Sequence, residues 1–320
     1  MAELPQRIYR MFANNCFMMK FRLKYKQVFL KRRLVQNGQD QKLLVTHKQI
    51  FYKMNIVIIV QARTGSTRFP GKILKTVLGK PLLLLQLERI AKIETVSQIV
   101  VATTTLPEDD VIVDLCDTNG ISVFRGHKTD LLDRHYKAGL EFDADVVVKI
   151  PSDCPLIDPA IIDKVLQFYI DNLDDYDYVS NLHPATYPDG NDVEVIPMTF
   201  LQTAWMHAEK SFELEHTTPY IWDNPERFRI GNVEWEAGLD YSMSHRFTID
   251  YPMDFEFIKT VYEELYPVNP SFNLYDILNL LARNPTIHSI NKEYQGVNWY
   301  RNHINELKCV GYDQTRFTNV

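Results

Sequence analysis

The densest chemistry in this chain lies in one short stretch, Arg63-Thr64-Gly65-Ser66-Thr67-Arg68-Phe69-Pro70-Gly71-Lys72. Two arginines and a lysine stand among two glycines and three hydroxyl side chains. Such a loop can turn backbone N–H groups toward an anion while its cations neutralise the charge. Pro70 and Gly71 bend the chain before Lys72, so the lysine can point back into the same hollow. An ordinary strand-to-helix loop with solvated cations is the plain alternative. The whole cluster, placed directly after the β-branched run Ile56-Val57-Ile58-Ile59-Val60, favours phosphate binding. It is neither common glycine motif: Ile73 follows Gly71-Lys72, which breaks G-x-x-x-x-G-K-[ST], and no G-x-G-x-x-G occurs. Two carboxylates could answer these cations. Asp153 follows the apolar run Val146 to Ile150, and Asp250 ends the run Phe247-Thr248-Ile249. Mg²⁺ takes one or two carboxylates and fills its octahedron with phosphate oxygens and water. Either acid alone could merely cap a turn. Together they bear on one site only if the fold brings distant segments into contact.

The elements that must position these residues alternate strand with helix. The run from Ile56 suits a strand buried on both faces, as in a parallel sheet. Helical spacing covers Leu82 to Ile93, Pro107 to Asn119, Asp130 to Phe142, Pro159 to Tyr169, Phe200 to Glu209, Phe255 to Leu265 and 273–283. Strands are expected at Gln98 to Ala102, Gly120 to Phe124, Asp145 to Ile150 and Tyr178 to Asn181. The expected fold is therefore α/β, a mostly parallel Rossmann-like sheet with helices on both faces. Ligands in such sheets bind beyond the carboxyl ends of the strands. That rule gathers Arg63 to Lys72, Thr103 to Thr105, Arg125-Gly126 and Ser152-Asp153 around one crevice. After Gly190, Asp192 and Glu194 alternate with Val193 and Val195, which puts the two acids on one face.

The stretch Gln61-Ala-Arg-Thr-Gly-Ser-Thr-Arg-Phe-Pro-Gly-Lys-Ile-Leu74, followed by Leu78-Gly79-Lys80-Pro81, resembles the opening signature of sugar cytidylyltransferases. Those enzymes activate 3-deoxy-manno-octulosonate and acylneuraminates with CTP. Within them the chain is most similar to the group named for spore-coat polysaccharide biosynthesis protein F. Ser152-Asp153-Cys154-Pro155-Leu-Ile-Asp158-Pro159 resembles the family's G-D-x-P-L-I-x-P segment, and Asp250-Tyr-Pro-Met-Asp254-Phe-Glu256 its D-x-P-x-D-[LF]-E segment. The matching aspartates imply Asp153 and Asp250 as Mg²⁺ ligands. Pro151-Ser152 departs from the glycine that usually precedes the first aspartate and stiffens that turn. The likeness further implies nucleotide contacts from Thr103 and Thr104 at a strand end and from Arg134 in Asp133-Arg134. Helix capping and a solvated ion pair are equally open readings there. Asp192, Glu194, Glu215, His216 and Arg246 fall in segments resembling the sugar pocket, although a lone histidine such as His216 is more often structural.

The implied reaction couples CTP to a sugar, acidic or of the surface-polysaccharide type, with release of pyrophosphate. Arg63, Arg68 and Lys72 would hold the triphosphate, and Gly65, Ser66 and Thr67 would add backbone and hydroxyl hydrogen bonds. A glycosyltransferase on a similar sheet is one rival, but it would want a D-x-D pair, and Ser152-Asp153-Cys154 lacks the second acid. A non-catalytic nucleotide or sugar sensor is another, and it would bind CTP without releasing pyrophosphate. Cys154 has no evident base nearby and reads as a buried structural thiol.

Composition bounds the rest. With 320 residues, 45% hydrophobic and 24% charged, the chain is that of an ordinary globular protein. Its net charge of −6 argues against general nucleic-acid affinity. Residues 1–53 carry a net +10, leaving −16 for the remainder. Scattered cysteines (Cys16, Cys116, Cys154 and Cys309) suggest reduced thiols and a cytoplasmic setting. No apolar stretch approaches the ~20 residues of a membrane span. The expected organisation is a basic extension over 1–53, a catalytic domain over 54–285, and a polar, aromatic-rich tail over 286–320 that packs as a C-terminal cover or a dimer arm. The basic extension could be a membrane-surface arm, a targeting segment, or sequence upstream of a start at Met54.

Overall fold

Strand β1 (Ile56–Gln61) is apolar over Ile56 to Val60, which are buried, and ends in the half-buried Gln61. In the computed structural model, which describes residues 54–317, it pairs in parallel with β4 (Gln98–Thr104) on one side and β6 (Val146–Pro151) on the other. Residues 1–53 lie outside the described residues, and with them the three readings of the basic extension. Between β1 and β4 come a 3₁₀ turn at Lys72–Leu74, a small hairpin of β2 (Thr76–Val77) and β3 (Lys80–Pro81), and helix α1 (Leu82–Ile90). The hairpin turn needs positive φ at both central residues, and Leu78 and Gly79 have φ of 50° and 79°.

A second crossover, α2 (Asp110–Thr118), leads to β5 (Ser122–Gly126), and α3 (Leu131–Glu141) returns the chain to β6. Asp130 starts α3 by accepting the Asp133 N–H at 2.8 Å. Helix α4 (Pro159–Asp171) starts at Asp158, whose carboxylate also accepts the Leu274 N–H at 2.7 Å. Then follow β7 (Tyr178–Ser180), β8 (Glu194–Pro197), α5 (Met198–His207), α6 (Ser211–His216), α7 (Pro219–Trp222) and β9 (Ile230–Asn232). Helices α8 (Pro252–Leu265), α9 (Leu274–Arg283) and α10 (Pro285–His288) close the order.

The strands run β5-β4-β1-β6-β8-β7-β9. The first four are parallel, β8 is antiparallel to both its neighbours, and β7 pairs in parallel with β9. The sheet is thus mostly parallel and Rossmann-like, as the periodicity requires. From β1 the chain first builds outward through β4 and β5, then crosses back to β6. The reversal falls between β1 and β6, which opens a crevice at their carboxyl ends. Among the described residues, 55–317 belong to one compact unit, the segment after α10 included. The side chain of Asn291 donates to the Arg246 carbonyl and the Asp254 carboxylate, and Asp223 accepts the N–H groups of Lys308 and Cys309. Among the described residues no helix is long and apolar enough to cross a membrane.

Candidate active site

The loop after β1 is shaped from within. The Thr64 carbonyl accepts both the Ser66 N–H (2.9 Å) and the Gly71 N–H (3.0 Å), folding residues 64–71 onto themselves. Gly71 has φ of 66°, a left-handed conformation costly for other residues, and it delivers Lys72 to the inside of the turn. From outside, the buried Asp109 accepts the Thr64 N–H and hydroxyl, each at 2.7 Å, and the Thr104 hydroxyl as well. The acidic start of the helix after β4 therefore does more than match a helix dipole: it ties the loop to the end of β4.

Lys72 then reaches the two carboxylates. Its Nζ donates to Asp250 Oδ1 at 2.9 Å and to the Ile249 carbonyl at 2.6 Å, and stands 3.4 Å from Asp153 Oδ2. Arg68 Nη2 lies 2.7 Å from the same Asp250 Oδ1, with its guanidinium over the Tyr251 ring. The Ile249 N–H and Thr248 hydroxyl donate to the Asp153 carbonyl at 2.8 and 3.0 Å, so the segments bearing the two acids are directly joined. Burial alone would raise Asp250, but Lys72, Arg68 and Arg246 hold its carboxyl well below the usual range. Burial would likewise lower Lys72, and Asp153 and Asp250 raise it instead. Asp153 is the more open acid, its side chain 30% exposed.

These residues form one end of a cavity of about 380 Å³, which Arg63, Ser66 and Thr67 also line. At the other end Lys149 pairs with Glu194, whose second oxygen accepts the Tyr178 hydroxyl at 2.7 Å. Asp192, Glu215 and His216 line the cavity too. His216 stacks on Trp299 at 3.8 Å and His183 on Trp222 at 4.0 Å. Burial pushes these histidines down to about 3 and about 4, so both are neutral at ordinary pH.

The remaining expected site residues stand elsewhere. Gly65 is exposed and away from the lining, and an added side chain there would meet nothing. Thr103, Thr104 and Arg134 are buried behind the loop rather than on the cavity wall. Thr104 is held by Asp109, while the Arg134 guanidinium donates to the His127 and Lys128 carbonyls. One nitrogen of Arg134, Nη1, has no partner. Burial, then the neighbouring Arg63, lowers this guanidinium to about 10.

Arg246 requires a correction. It was expected to touch the sugar, yet its side chain is 1% exposed and each of its five N–H donors is already engaged. Nε and Nη2 hold Asp254 at 2.9 and 3.1 Å, Nη2 also reaches Asp250 at 3.2 Å, and Nη1 bonds Asp189 and the Val297 carbonyl at 3.1 and 3.0 Å. With no donor left for a ligand, it is a positioning residue for Asp250. Asp254 completes that support by accepting the N–H groups of Asp250 and Tyr251 at 2.9 and 3.0 Å.

Sequence reading passed over Asp189, Asp254, Lys149 and Arg301. Lys149 had a visible signal: a lysine inside an apolar strand run must find an acid. Arg301 had none. It lines the cavity beside Tyr251, 3.5 Å from that hydroxyl, with Nη1 buried and unpartnered. Cys154 is buried, and burial drives its thiol well above the ordinary range, as suits a structural cysteine.

Residues 57–271 match the family described as cytidylyltransferase. The chain belongs to the cytidylyltransferase family. It is accordingly a nucleotidyltransferase by descent. It is 36% identical over 238 residues to uncharacterised protein MJ1063 of Methanocaldococcus jannaschii, spanning 74% of this chain and 95% of that one. Spore coat polysaccharide biosynthesis protein SpsF of Bacillus subtilis is 30% identical over 72% of this chain and 95% of its own length. The solved cytidylyltransferase of Leptospira borgpetersenii is similar with a TM-score of 0.69 and 32% identity, over 73% of this chain and 96% of that one. The wall formed by residues 296–302 lies beyond the matched family region.

The donor set at Asp153 and Asp250 fits a hard divalent cation: two carboxylates on joined segments, one of them half-open. Among the described residues no group of three or more His, Cys, Asp or Glu side chains is arranged to cage a metal. A cation here would draw its other ligands from substrate and water, as magnesium does.

Proposed function

We propose that this protein joins CTP to a sugar, forming a CMP-sugar and pyrophosphate. One observation carries the reading. Lys72 lies between Asp153 and Asp250, with Arg68 on the same acid, at the carboxyl ends of β1 and β6. In the reaction a sugar hydroxyl oxygen forms a bond to the α-phosphorus of CTP, the bond to the bridging oxygen of the β-phosphate breaks, and the hydroxyl proton is released. Phosphoryl chemistry asks the protein mainly for position and charge.

Arg63, which carries no ion pair among the described residues, and Arg68, half-exposed, can take phosphate oxygens without first being unburied. Lys72 can exchange a carboxylate oxygen for a phosphate oxygen within the same small hollow. That exchange turns Asp250 from a partner of cations into an available ligand. Asp153 and Asp250 would hold magnesium, which when bound supplies charge neutralisation at the reacting phosphate and orientation of the hydroxyl. Arg246 and Asp254 keep Asp250 at its station throughout.

The test is pyrophosphate release across the four nucleoside triphosphates with a panel of sugars, with and without magnesium. CTP labelled at the α-phosphate should pass its label to a CMP-sugar. Label appearing only in free CMP, or CTP binding without pyrophosphate release, would refute the reading.

A further inference from the structure

The segment after α10 is fastened to the loop that bears Asp250. Asn291 donates to the Arg246 carbonyl and the Asp254 carboxylate, Arg246 donates to the Val297 carbonyl, and the Tyr294 ring stacks on Tyr251 at 4.0 Å. The Asn298 side chain then accepts the Tyr300 N–H at 3.0 Å and donates to the Gln314 carbonyl at 2.8 Å. The short 3₁₀ turn Trp299–Asn302, fixed in this way, brings Arg301 to the cavity wall. Tyr251 connects that arginine with the phosphate end. Its hydroxyl lies 3.5 Å from Arg301 Nη2, Arg68 stands over its ring, and it follows Asp250 directly in the chain.

The cations lining the cavity are Arg63, Arg68, Lys72, Lys149 and Arg301. Lys72 and Arg68 are paired with Asp250, and Lys149 with Glu194. Among the described residues Arg63 and Arg301 carry no ion pair. Arg301 is also partly withdrawn from water, with Nη1 buried and without a hydrogen-bond partner. A buried donor left unpaired is costly, so this guanidinium favours an acceptor that the chain itself does not supply.

We infer that Arg301 is a further substrate-binding residue, one that takes an anionic phosphate oxygen of the nucleotide's triphosphate. The inference rests on the nucleotidyl-transfer reading, which places a triphosphate at the loop after β1. A triphosphate brings several negative charges, and Arg63 and Arg301 can meet them without breaking an existing ion pair. A planar guanidinium suits that task, because it can set two parallel N–H donors against one phosphate. The tail is then part of the substrate site, which extends past residue 271, where the family match ends. A carboxylate on the second substrate would offer similar oxygens, so the test separates the two sources.

The test is titration calorimetry on the full-length wild type, Arg301→Ala and Arg301→Lys in magnesium buffer. The ligands are CTP, inorganic tripolyphosphate and, for the CTP-saturated protein, glucuronate. The expected result is about tenfold weaker binding of CTP and tripolyphosphate in Arg301→Ala, partly restored in Arg301→Lys, with an unchanged melting temperature. Arg301→Gln, closer in size, repeats the measurement if the alanine variant melts early. Unchanged affinity for both phosphate ligands would overturn the inference, and a loss confined to glucuronate would give Arg301 to a sugar carboxylate instead. Pyrophosphate release by the wild type, followed beside these titrations, shows separately whether the nucleotidyl-transfer reading stands.

Discussion

The cavity has one end built like a lattice and another built like a surface. At the phosphate end, cations and carboxylates alternate within hydrogen-bond reach: Arg68, Asp250, Lys72 and Asp153, with Arg246 and Asp254 behind. Their charges nearly cancel, and each group fixes the next. At the other end, where the proposed sugar would lie, the wall is largely aromatic, made by β8, α6, α7 and the segment after α10, with His216 stacked on Trp299 and His183 on Trp222. A reaction that is the same for every substrate can be served by a fixed constellation. Substrate choice needs a wall whose chemistry can vary without disturbing it.

Breaking the lattice should have the largest effect. Asp153→Asn removes one charge from a partly open position, so turnover should fall on the order of a thousandfold while the unfolding midpoint hardly moves. Steady-state pyrophosphate release beside a thermal melt measures both. Turnover near the wild-type rate under saturating magnesium would remove Asp153 from the chemistry.

Next comes the support behind it. Arg246→Met strips the buried Asp254 of its bidentate partner and should cost about 3–5 kcal/mol of stability in a denaturant titration. A loss under 1 kcal/mol would mean that this network is not the anchor its geometry suggests.

Arg301→Ala tests whether the C-terminal wall serves the phosphate end. Its unpartnered Nη1 predicts a rise of about tenfold in KM for CTP, with an unchanged melting temperature. An effect confined to the sugar KM would assign Arg301 to the other end.

The smallest expected effect separates the ends by pH. His183 and His216 are neutral in the fold, at about 4 and about 3, against an ordinary value of about 6.5. As pH falls below about 6.5 the unfolded chain binds protons that these histidines refuse, so stability declines progressively toward pH ~4. Asp250, held ionised by its three cations, keeps the phosphate end intact over the same window. The pH dependence of stability should therefore flatten in a His183→Gln, His216→Gln double variant.

What could be read from the sequence follows the same division. The β1 run, the loop cations and Asp153 were legible because local composition and strand ends dictate them, and Asp250 because an apolar run and the likeness to the family's D-x-P-x-D-[LF]-E segment mark it, although no strand precedes it. The mostly parallel sheet was legible from the alternation of strand and helix. The short elements α6, α7 and β9 were not, because helices of six and four residues and a strand of three are too brief to show a period. Nor was the saturation of Arg246, since Asp189, Asp250, Asp254 and Val297 meet around it only through tertiary packing. Gly190 marks a place where that packing is closest. With φ of 105°, it lets the backbone before β8 lie against Phe247, and an added Cβ would stand 2.6 Å from the Phe247 carbonyl carbon.

Arg246 also has a kinetic consequence. The guanidinium that steadies Asp250 grips the Val297 carbonyl, and its own backbone carbonyl is held by Asn291. If an arriving triphosphate takes Lys72 and Arg68 away from Asp250, that carboxylate leans more heavily on Arg246, and the hold on the C-terminal wall is redistributed at the same moment. Under the proposed reaction, the wall facing the second substrate would thereby register the arrival of the first. Ordered addition, nucleotide before sugar, is the behaviour such wiring favours, and Arg246→Lys, with three donors instead of five, should blur that order.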